Sequence, residues 1–257
     1  MNDLVSIIMP SYNTARFIEE TIDSVLAQTY TNWELIIVDD CSTDDTDAVV
    51  ARYEDPRIRY LKNEKNSGAA VSRNRALREA KGRWIAFLDS DDLWTPDKLQ
   101  KQIRFMEEKG CSYSYTNYVE IDEASKPLGV RVTGPKRITK AGMYAYCWPG
   151  CLTVMYDASV VGLVQIEDIK KNNDYAMWLK AIRKADCFLL DEDLGFYRKR
   201  AGSISRQSYT KLIRWHYKLF HEANGYGKVA SAALTCGNLG FGVLKKLFYV
   251  SADKTHK

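Results

Sequence analysis

The sequence predicts an α/β fold, a mostly parallel sheet with helices on both faces and a helical extension at the C-terminus. Three observations carry this expectation. In the first hundred residues, short runs rich in Val, Ile and Leu alternate with segments of helical period. Two of those runs end in acidic clusters, Asp39-Asp40 and Asp89-Ser90-Asp91-Asp92. From Arg198 onward twelve Lys and Arg face only two acids, Glu222 and Asp253, whereas the rest of the chain is net acidic.

The run LVSIIM (4–9) reads as a short buried strand. The helix after it takes Asn13 or Thr14 as its N-cap and turns Phe17, Ile18, Ile22, Val25 and Leu26 to one face. ELIIVDD (34–40) is the second strand. STDDTDAVVARY (42–53) opens a helix with a Ser/Thr cap and acids in its first turn. RIRYL (57–61) is the third strand, and SGAAVSRNRALREAKG (67–82) an Ala-rich helix closed by Gly82. WIAFL (84–88) is the fourth strand, after which Thr95-Pro96 caps a helix running to Gly110. Repeated β–α units imply parallel pairing, and such sheets bind ligands outside the C-terminal ends of their strands.

Beyond Gly110 the alternation loosens. CSYSYTNYVEI (111–121) and LGVRVT (128–133) read as strands, and YCWPGCLTVMY (146–156) as a loop entering another. NDYAMWLKAIRKA (173–185) is a helix with Trp178, Leu179 and Ile182 inward, and CFLLDEDLGFYR (187–198) a strand region. Two helices follow, YTKLIRWHYKLFHEA (209–223) and VASAALTCGNLGFGVLKKLFYV (229–250). With no internal repeat or low-complexity linker, three units are expected: 1–110, 111–207 and a basic amphipathic tail over 208–257.

A chain of 257 residues can bury a sizeable core, and 46% hydrophobic with 27% charged residues is ordinary for a globular protein. No apolar run reaches the roughly 20 residues of a membrane span, and no signal peptide opens the sequence. The six Cys are scattered. The Cys147/Cys151 spacing without a nearby His is a weak metal signal, so reduced thiols in a reducing cytosol are expected. The basic tail points to an anionic surface, phospholipid or nucleic acid. No nucleic-acid reading motif accompanies it, which leaves the lipid surface.

Both acidic clusters fall on strand ends of one sheet edge. Helix capping accounts for acids at such positions, evenly so for Asp39-Asp40 and less well for the triple acid, where Thr95 already serves as cap. Three carboxylates in four positions suit a hard divalent cation, Mg2+ or Mn2+, with phosphate oxygens completing its shell. An EF-hand fits poorly, because the twelfth position counted from Asp89 is Gln100 rather than Glu.

The segments VSIIMPSYN, IIVDDCSTDDT, NSGAAVSRNRAL and FLDSDDLWTPDKL, in that order and spacing, resemble glycosyltransferase family 2 over roughly residues 3 to 205. The resemblance implies a GT-A fold and a metal-dependent hexosyl transfer from a nucleotide-sugar, usually a UDP-sugar. By the same resemblance, Pro10, Tyr12 and Asn13 match the loop near the nucleotide base. Asp40 matches the acid that hydrogen-bonds the base, and Asp39 shapes that pocket. Arg73 and Asn74 match an A-R-N element near the nucleotide, here Ser-Arg-Asn. Asp89, Ser90 and Asp91 match the D-x-D segment, with Asp89 and Ser90 toward the nucleotide, Asp91 as direct metal ligand and Asp89 as its partner.

The family's base lies in a pattern like E-D-x-x-L-W-L. The match is NNDYAMWLKAI, which assigns the base to Asp174 and puts Asn173 where Glu is common. From sequence alone Asp174 reads as a helix-start carboxylate. YRKRAGSIS resembles a Y-R-x-H element with Arg200 in the His position, so Arg198 or Arg200 is expected on the diphosphate, against a plain basic surface turn. His216, His221 and His256 are not expected in catalysis. The implied reaction is a single inverting displacement with Asp174 as base, one sugar per encounter, since the Q-x-x-R-W signature of processive members is missing.

The uncharged, Gly-broken stretch 229–244 followed by Lys245-Lys246 is too short to span a bilayer but suits the headgroup region; packing on the catalytic core is the competing expectation. The membrane reading implies a lipid-linked saccharide acceptor, a cytoplasmic enzyme peripheral on the inner membrane face, and a place in surface polysaccharide assembly such as capsule or O-antigen. Two other classes fit the sequence less well. A phosphatase-like enzyme would carry its D-x-D on the first strand rather than the fourth, and a non-catalytic membrane adaptor would not need Asp40, Asp91 and Asp174 intact.

Overall fold

The computed structural model describes residues 3–200 and 209–252. Strands β1 (Val5–Ser11), β2 (Trp33–Asp39), β3 (Ile58–Lys62) and β4 (Trp84–Phe87) pair in the order β4-β1-β2-β3, all parallel. Helices α1 (Ile18–Leu26), α2 (Thr46–Val50) and α3 (Ala69–Glu79) make the crossovers. β1 and β2 are buried at every position, as continuous apolar runs require when both faces are covered. Alternate residues feed two cores. Ile8, Ile36, Val38, Ile85 and Phe87 face one; Val5, Ile7, Leu35, Ile37 and Ala86 face the other.

The chain continues through β5 (Leu93–Trp94), α4 (Lys98–Lys109), β6 (Tyr113–Ile121), β7 (Pro127–Val132), β8 (Arg137–Ile138), α5 (Lys140–Ala145), β9 (Met155–Asp157), α6 (Ala158–Val161), α7 (Asn173–Ala181) and β10 (Cys187–Arg198). Short β9 lies antiparallel between β4 and β6 and so joins the two halves of the sheet. β10 runs parallel to β6 and pairs antiparallel with β5 and β8. The fold is α/β, parallel through the first four strands and mixed beyond them. α7 is anchored by Trp178, whose ring meets Phe87 edge-on at 5.0 Å and lies 6.2 Å from Tyr113.

The C-terminal segment forms α8 (Tyr209–Lys218), a π-helical turn over Leu219–Ala223, α9 (Lys228–Phe248) and β11 (Val250–Ala252). β11 adds to the sheet edge, antiparallel to β7. Leu219, Phe220 and Ala223 are buried in the same core as Trp178. The tail is therefore part of the folded body on one face.

Three local expectations are corrected. α1 starts at Ile18, and neither Asn13 nor Thr14 caps it by side chain; Thr14 Oγ1 is 2.8 Å from Ser11 Oγ, and the Thr14 carbonyl accepts from Phe17 and Ile18. Gly82 does not close α3, which ends at Glu79 with Ala80 already extended. Gly82 is needed for close approach instead, since a Cβ there would stand 2.6 Å from Ser6 N and 2.7 Å from Leu4 O. Thr95 does not cap α4; its hydroxyl donates to Asp97 Oδ1 at 2.8 Å, and Asp97 occupies the N-cap position. Gly110 ends α4 as expected, at φ 63°.

Candidate active site

The C-terminal ends of β1, β2 and β4 lie side by side, so the loops after them form one edge. Pro10 and Ser11 end β1, and Tyr12 follows with its ring exposed. Asn13 takes a left-handed backbone, φ 51°, and its Oδ1 accepts from Thr43 N at 2.8 Å. Asn13 N donates to Ser42 Oγ at 2.8 Å, so the first loop is stitched to the second. Asp39 is fully buried and accepts from Ser42 N at 2.8 Å and from the Ser42 hydroxyl, closing the turn at left-handed Cys41. Asp40 is also buried. It accepts from Asn63 Nδ2 (2.9 Å), Ser67 N (2.9 Å) and Gly68 N (2.6 Å), which pins the loop entering α3.

The acidic run after β4 divides its three carboxylates among three arginines. Asp89 Oδ1 accepts from Arg73 Nη2. Asp91 Oδ2 pairs with Arg200 Nε at 2.8 Å. Asp92 is buried and accepts from Arg198 N at 2.9 Å, while Ser90 is buried beside it. Burial pushes the Asp91 carboxyl up; Arg200 opposes that and the neighbouring Asp89 charge adds to it. Asp92 is raised well above the carboxylate range by burial and then by the charges of Asp91 and Asp89.

Arg198 and Arg200 part company here. Arg198 has no exposed side chain. Its Nε donates to the Asp91 carbonyl (2.7 Å), Nη1 to Ser125 Oγ (2.8 Å) and Nη2 to Glu20 Oε2 (2.8 Å). It is an internal strut under the acidic run, with no free face for a diphosphate. Arg200 keeps an exposed share; among the described residues it pairs with Asp91 and stands 5.8 Å over the Phe17 ring. The Ser203-Ile204-Ser205 end of that motif, the boundary at 207 and His256 lie outside the described residues.

Asp174 sits half-buried in the first turn of α7, accepting from Tyr175 N at 2.8 Å. Burial raises its carboxyl above the usual range, and the Arg73 guanidinium opposes the rise. Arg73 itself is buried. It donates to Asp89 and, through Nη1, to Asn173 Oδ1, so one guanidinium ties the end of β4 to the start of α7. That places Asn173 as an acceptor for Arg73. Asn74 is spent on the backbone of Ile166, as acceptor at 2.9 Å and donor at 2.6 Å. Cys151 is buried within the electrostatic reach of Arg73, Asp89 and Asp174. His216 and His221 bond to backbone carbonyls of Leu212 and Tyr226, away from this edge.

Among the described residues no group of three or more His, Cys, Asp or Glu is arranged as a complete metal site. Asp89 and Asp91 do offer hard oxygen donors at the open edge, and their mutual repulsion favours a cation. Mg2+-type ions are commonly held by one or two carboxylates together with substrate phosphates. The donor set thus fits an ion that arrives with a diphosphate. Sequence reasoning misses the contacts from α9: Asn238 Nδ2 donates to the Tyr175 hydroxyl at 2.7 Å, and Lys245 Nζ to the Trp148 carbonyl at 3.0 Å. The helical spacing of Asn238 and Lys245 was the available signal.

This chain is 44% identical over 209 residues to TuaG of Bacillus subtilis (strain 168), a glycosyltransferase named for teichuronic acid biosynthesis, covering 80% of this chain and 83% of that one. It is 43% identical over 216 residues to WfaP of Escherichia coli, covering 82% and 84%; that protein is named a UDP-Glc:alpha-D-GlcNAc-diphosphoundecaprenol beta-1,3-glucosyltransferase. Its fold matches S. aureus TarS 1-349, solved in complex with UDP-GlcNAc, at TM-score 0.69 and 22% identity, covering 91% of this chain and 71% of that one. The family model described as "Glycosyl transferase family 2" matches residues 6–150. Ordered motifs, α/β fold and close relatives agree: the chain belongs to glycosyl transferase family 2.

Proposed function

We propose that this protein is an inverting glycosyltransferase that moves one sugar from a UDP-sugar to a hydroxyl of a saccharide carried on a lipid diphosphate, in surface polysaccharide assembly. The observation that carries the reading is the meeting of Arg73, Asp89, Asp91 and Asp174 at one edge of the sheet, with Arg73 bridging the end of β4 to the start of α7. Residues up to about 110 form the donor half, 111–207 the acceptor half, and the remainder the membrane-facing segment.

Tyr12 lies against the base, with Pro10 and Asn13 holding its loop. Asp40 hydrogen-bonds the base through an acceptor site that its present bonds leave, and Asp39 shapes that pocket through the turn it pins. Asp89 and Ser90 frame the nucleotide, and Asp91 with Asp89 holds Mn2+ or Mg2+. The ion, when bound, neutralises charge on the leaving diphosphate. Arg200 swings from Asp91 to the same diphosphate. Asp174 takes the proton of the acceptor hydroxyl, whose oxygen attacks the anomeric carbon opposite the departing diphosphate. A base raised by burial holds that proton better than an ordinary carboxylate.

The outer face of α9 presents Val229, Phe241, Val243, Leu244, Leu247 and Phe248 to solvent beside Lys246. No helix among the described residues is long and apolar enough to cross a membrane. A surface of this kind suits the headgroup region of an anionic bilayer, which supports the reading of a protein that works on the inner membrane face.

Asp174→Asn is the test. It keeps UDP binding and loses transfer by roughly 10²–10⁴-fold; a near-wild-type rate removes Asp174 as base. Asp91→Ala removes the Mn2+-dependent part of the thermal stabilisation by UDP, and an unchanged shift removes the metal role.

A further inference from the structure

Two consecutive lysines near the end of α9 point to different faces of the helix. Lys246 is exposed, whereas Lys245 turns into the protein. Its Nζ donates to the Trp148 carbonyl at 3.0 Å and stands 5.3 Å over the Tyr146 ring. Among the described residues it makes no ion pair with a carboxylate. An amine of this kind has further donors beyond the one in use. Burial pushes its pKa down, and the groups whose charges favour its protonated form are Cys147 and Asp174. The cation is thus on the same side of the molecule as the base.

The inward position belongs to a stripe. Asn238, Gly242, Lys245 and Tyr249 recur at helical spacing. Asn238 holds the Tyr175 hydroxyl at 2.7 Å, next to Asp174. A Cβ on Gly242 would stand 3.1 Å from Tyr146 Cε2, so glycine lets α9 close on this loop. The Tyr249 ring meets Trp148 at 5.2 Å. The opposite face of the same helix is the apolar surface ending in Leu247 and Phe248. About one helix diameter, roughly 10 Å, therefore separates a sequestered cation from a lipid-seeking face.

We propose that Lys245 and the Tyr146–Trp148 loop form an acceptor-side anion site that binds the diphosphate of a lipid-linked saccharide. The site rests on the reading of the acceptor given above. It is separate from the donor diphosphate, which lies with Asp91 and Arg200. An anion held by Lys245 leaves the attached saccharide facing Asp174, while its hydrocarbon follows the outer face of α9 into the bilayer.

The test uses the full chain saturated with UDP, so that the donor pocket is filled, and geranyl diphosphate as a saccharide-free probe in calorimetry. Wild type binds the probe. Lys245→Met weakens binding by about tenfold or more, the loss expected for a charge-assisted hydrogen bond, while its melting temperature and UDP affinity stay unchanged. Lys246→Met leaves probe binding unchanged. No binding by wild type, equal binding by Lys245→Met, or an equal loss in Lys246→Met overturns the site. A second measurement does not depend on a variant folding: the probe protects Lys245, and not Lys246, from acylation in wild-type protein, read by mass spectrometry. Lack of protection overturns the site as well. Neither readout involves sugar transfer, so absence of UDP release with lipid-diphosphate saccharides counts against the acceptor reading separately.

Discussion

Lys98 is fully buried on α4, and among the described residues its Nζ has no hydrogen-bond partner. It lies 3.8 Å over the Trp94 ring, and burial holds its pKa well below the usual lysine range. A stacked, desolvated charge contributes about 2 kcal/mol, less than the cost of leaving an ammonium dry and unpaired. Lys98→Met is therefore expected to raise stability at pH 7 by about 1 kcal/mol. The sign of its pH dependence follows from linkage. The folded pKa is depressed, so the unfolded chain binds the extra proton between that value and about 10.4, and wild-type stability rises with pH there. Urea melts should show the variant's advantage shrinking as pH climbs toward that upper limit. Asp174 gives the opposite case. Its folded pKa is raised, so ionising it costs stability once pH exceeds the ordinary carboxylate value. Asp174→Asn should melt no lower than wild type at pH 7 while losing turnover, and the acid limb of the wild-type rate profile should lie above an ordinary aspartate's.

Arg73 shows how elements far apart in the chain build the site. It leaves α3, reaches Asp89 after β4, and meets Asn173 at the start of α7. Arg73→Met leaves Asp89 without its partner and costs about 2 kcal/mol. Arg73 also opposes the upward shift of Asp174, so the acid limb of the variant should move to higher pH. An unmoved limb would mean that the two residues are not coupled. Gly82→Ala tests a different junction, where α3 hands over to β4. The added methyl meets the backbone of Leu4 and Ser6, and a loss of about 1–3 kcal/mol is expected from overpacking. The first four strands, their parallel pairing and the acidic edge were legible because apolar periodicity and strand-end carboxylates are local patterns. Arg198 was not: whether a guanidinium faces a ligand or Glu20 and Ser125 depends on partners far away in the chain. Asp40 is similar, since its neighbours Ser67 and Gly68 reach it only once the sheet has formed. Gly82 followed a helix and so read as its stop, although close approach to β1 explains it.

At the scale of the whole molecule, the tail is both packing and surface. The sequence left core packing and membrane contact as competing expectations for α9, but a helix has two faces. Ser231, Thr235 and Asn238 are buried, while Leu247 and Phe248 are 69% and 72% exposed. Removing everything after residue 207 would strip β11 from β7 and Phe220 from the core, so lost vesicle binding in such a truncation would report unfolding. Point changes on the outer face separate the two roles. Leu247→Glu with Phe248→Glu removes apolar insertion and adds two negative charges, on residues that are mostly exposed and contribute little to the fold. Melting temperature and UDP binding should stay at wild-type values, while flotation with phosphatidylserine-rich vesicles falls sharply. Lys246→Glu should act more weakly and lose its effect at high salt, because a basic residue near an anionic bilayer contributes about 1 kcal/mol and is screened. Wild-type flotation by the double variant would mean that α9 does not face the membrane, and the tail would then be packing alone.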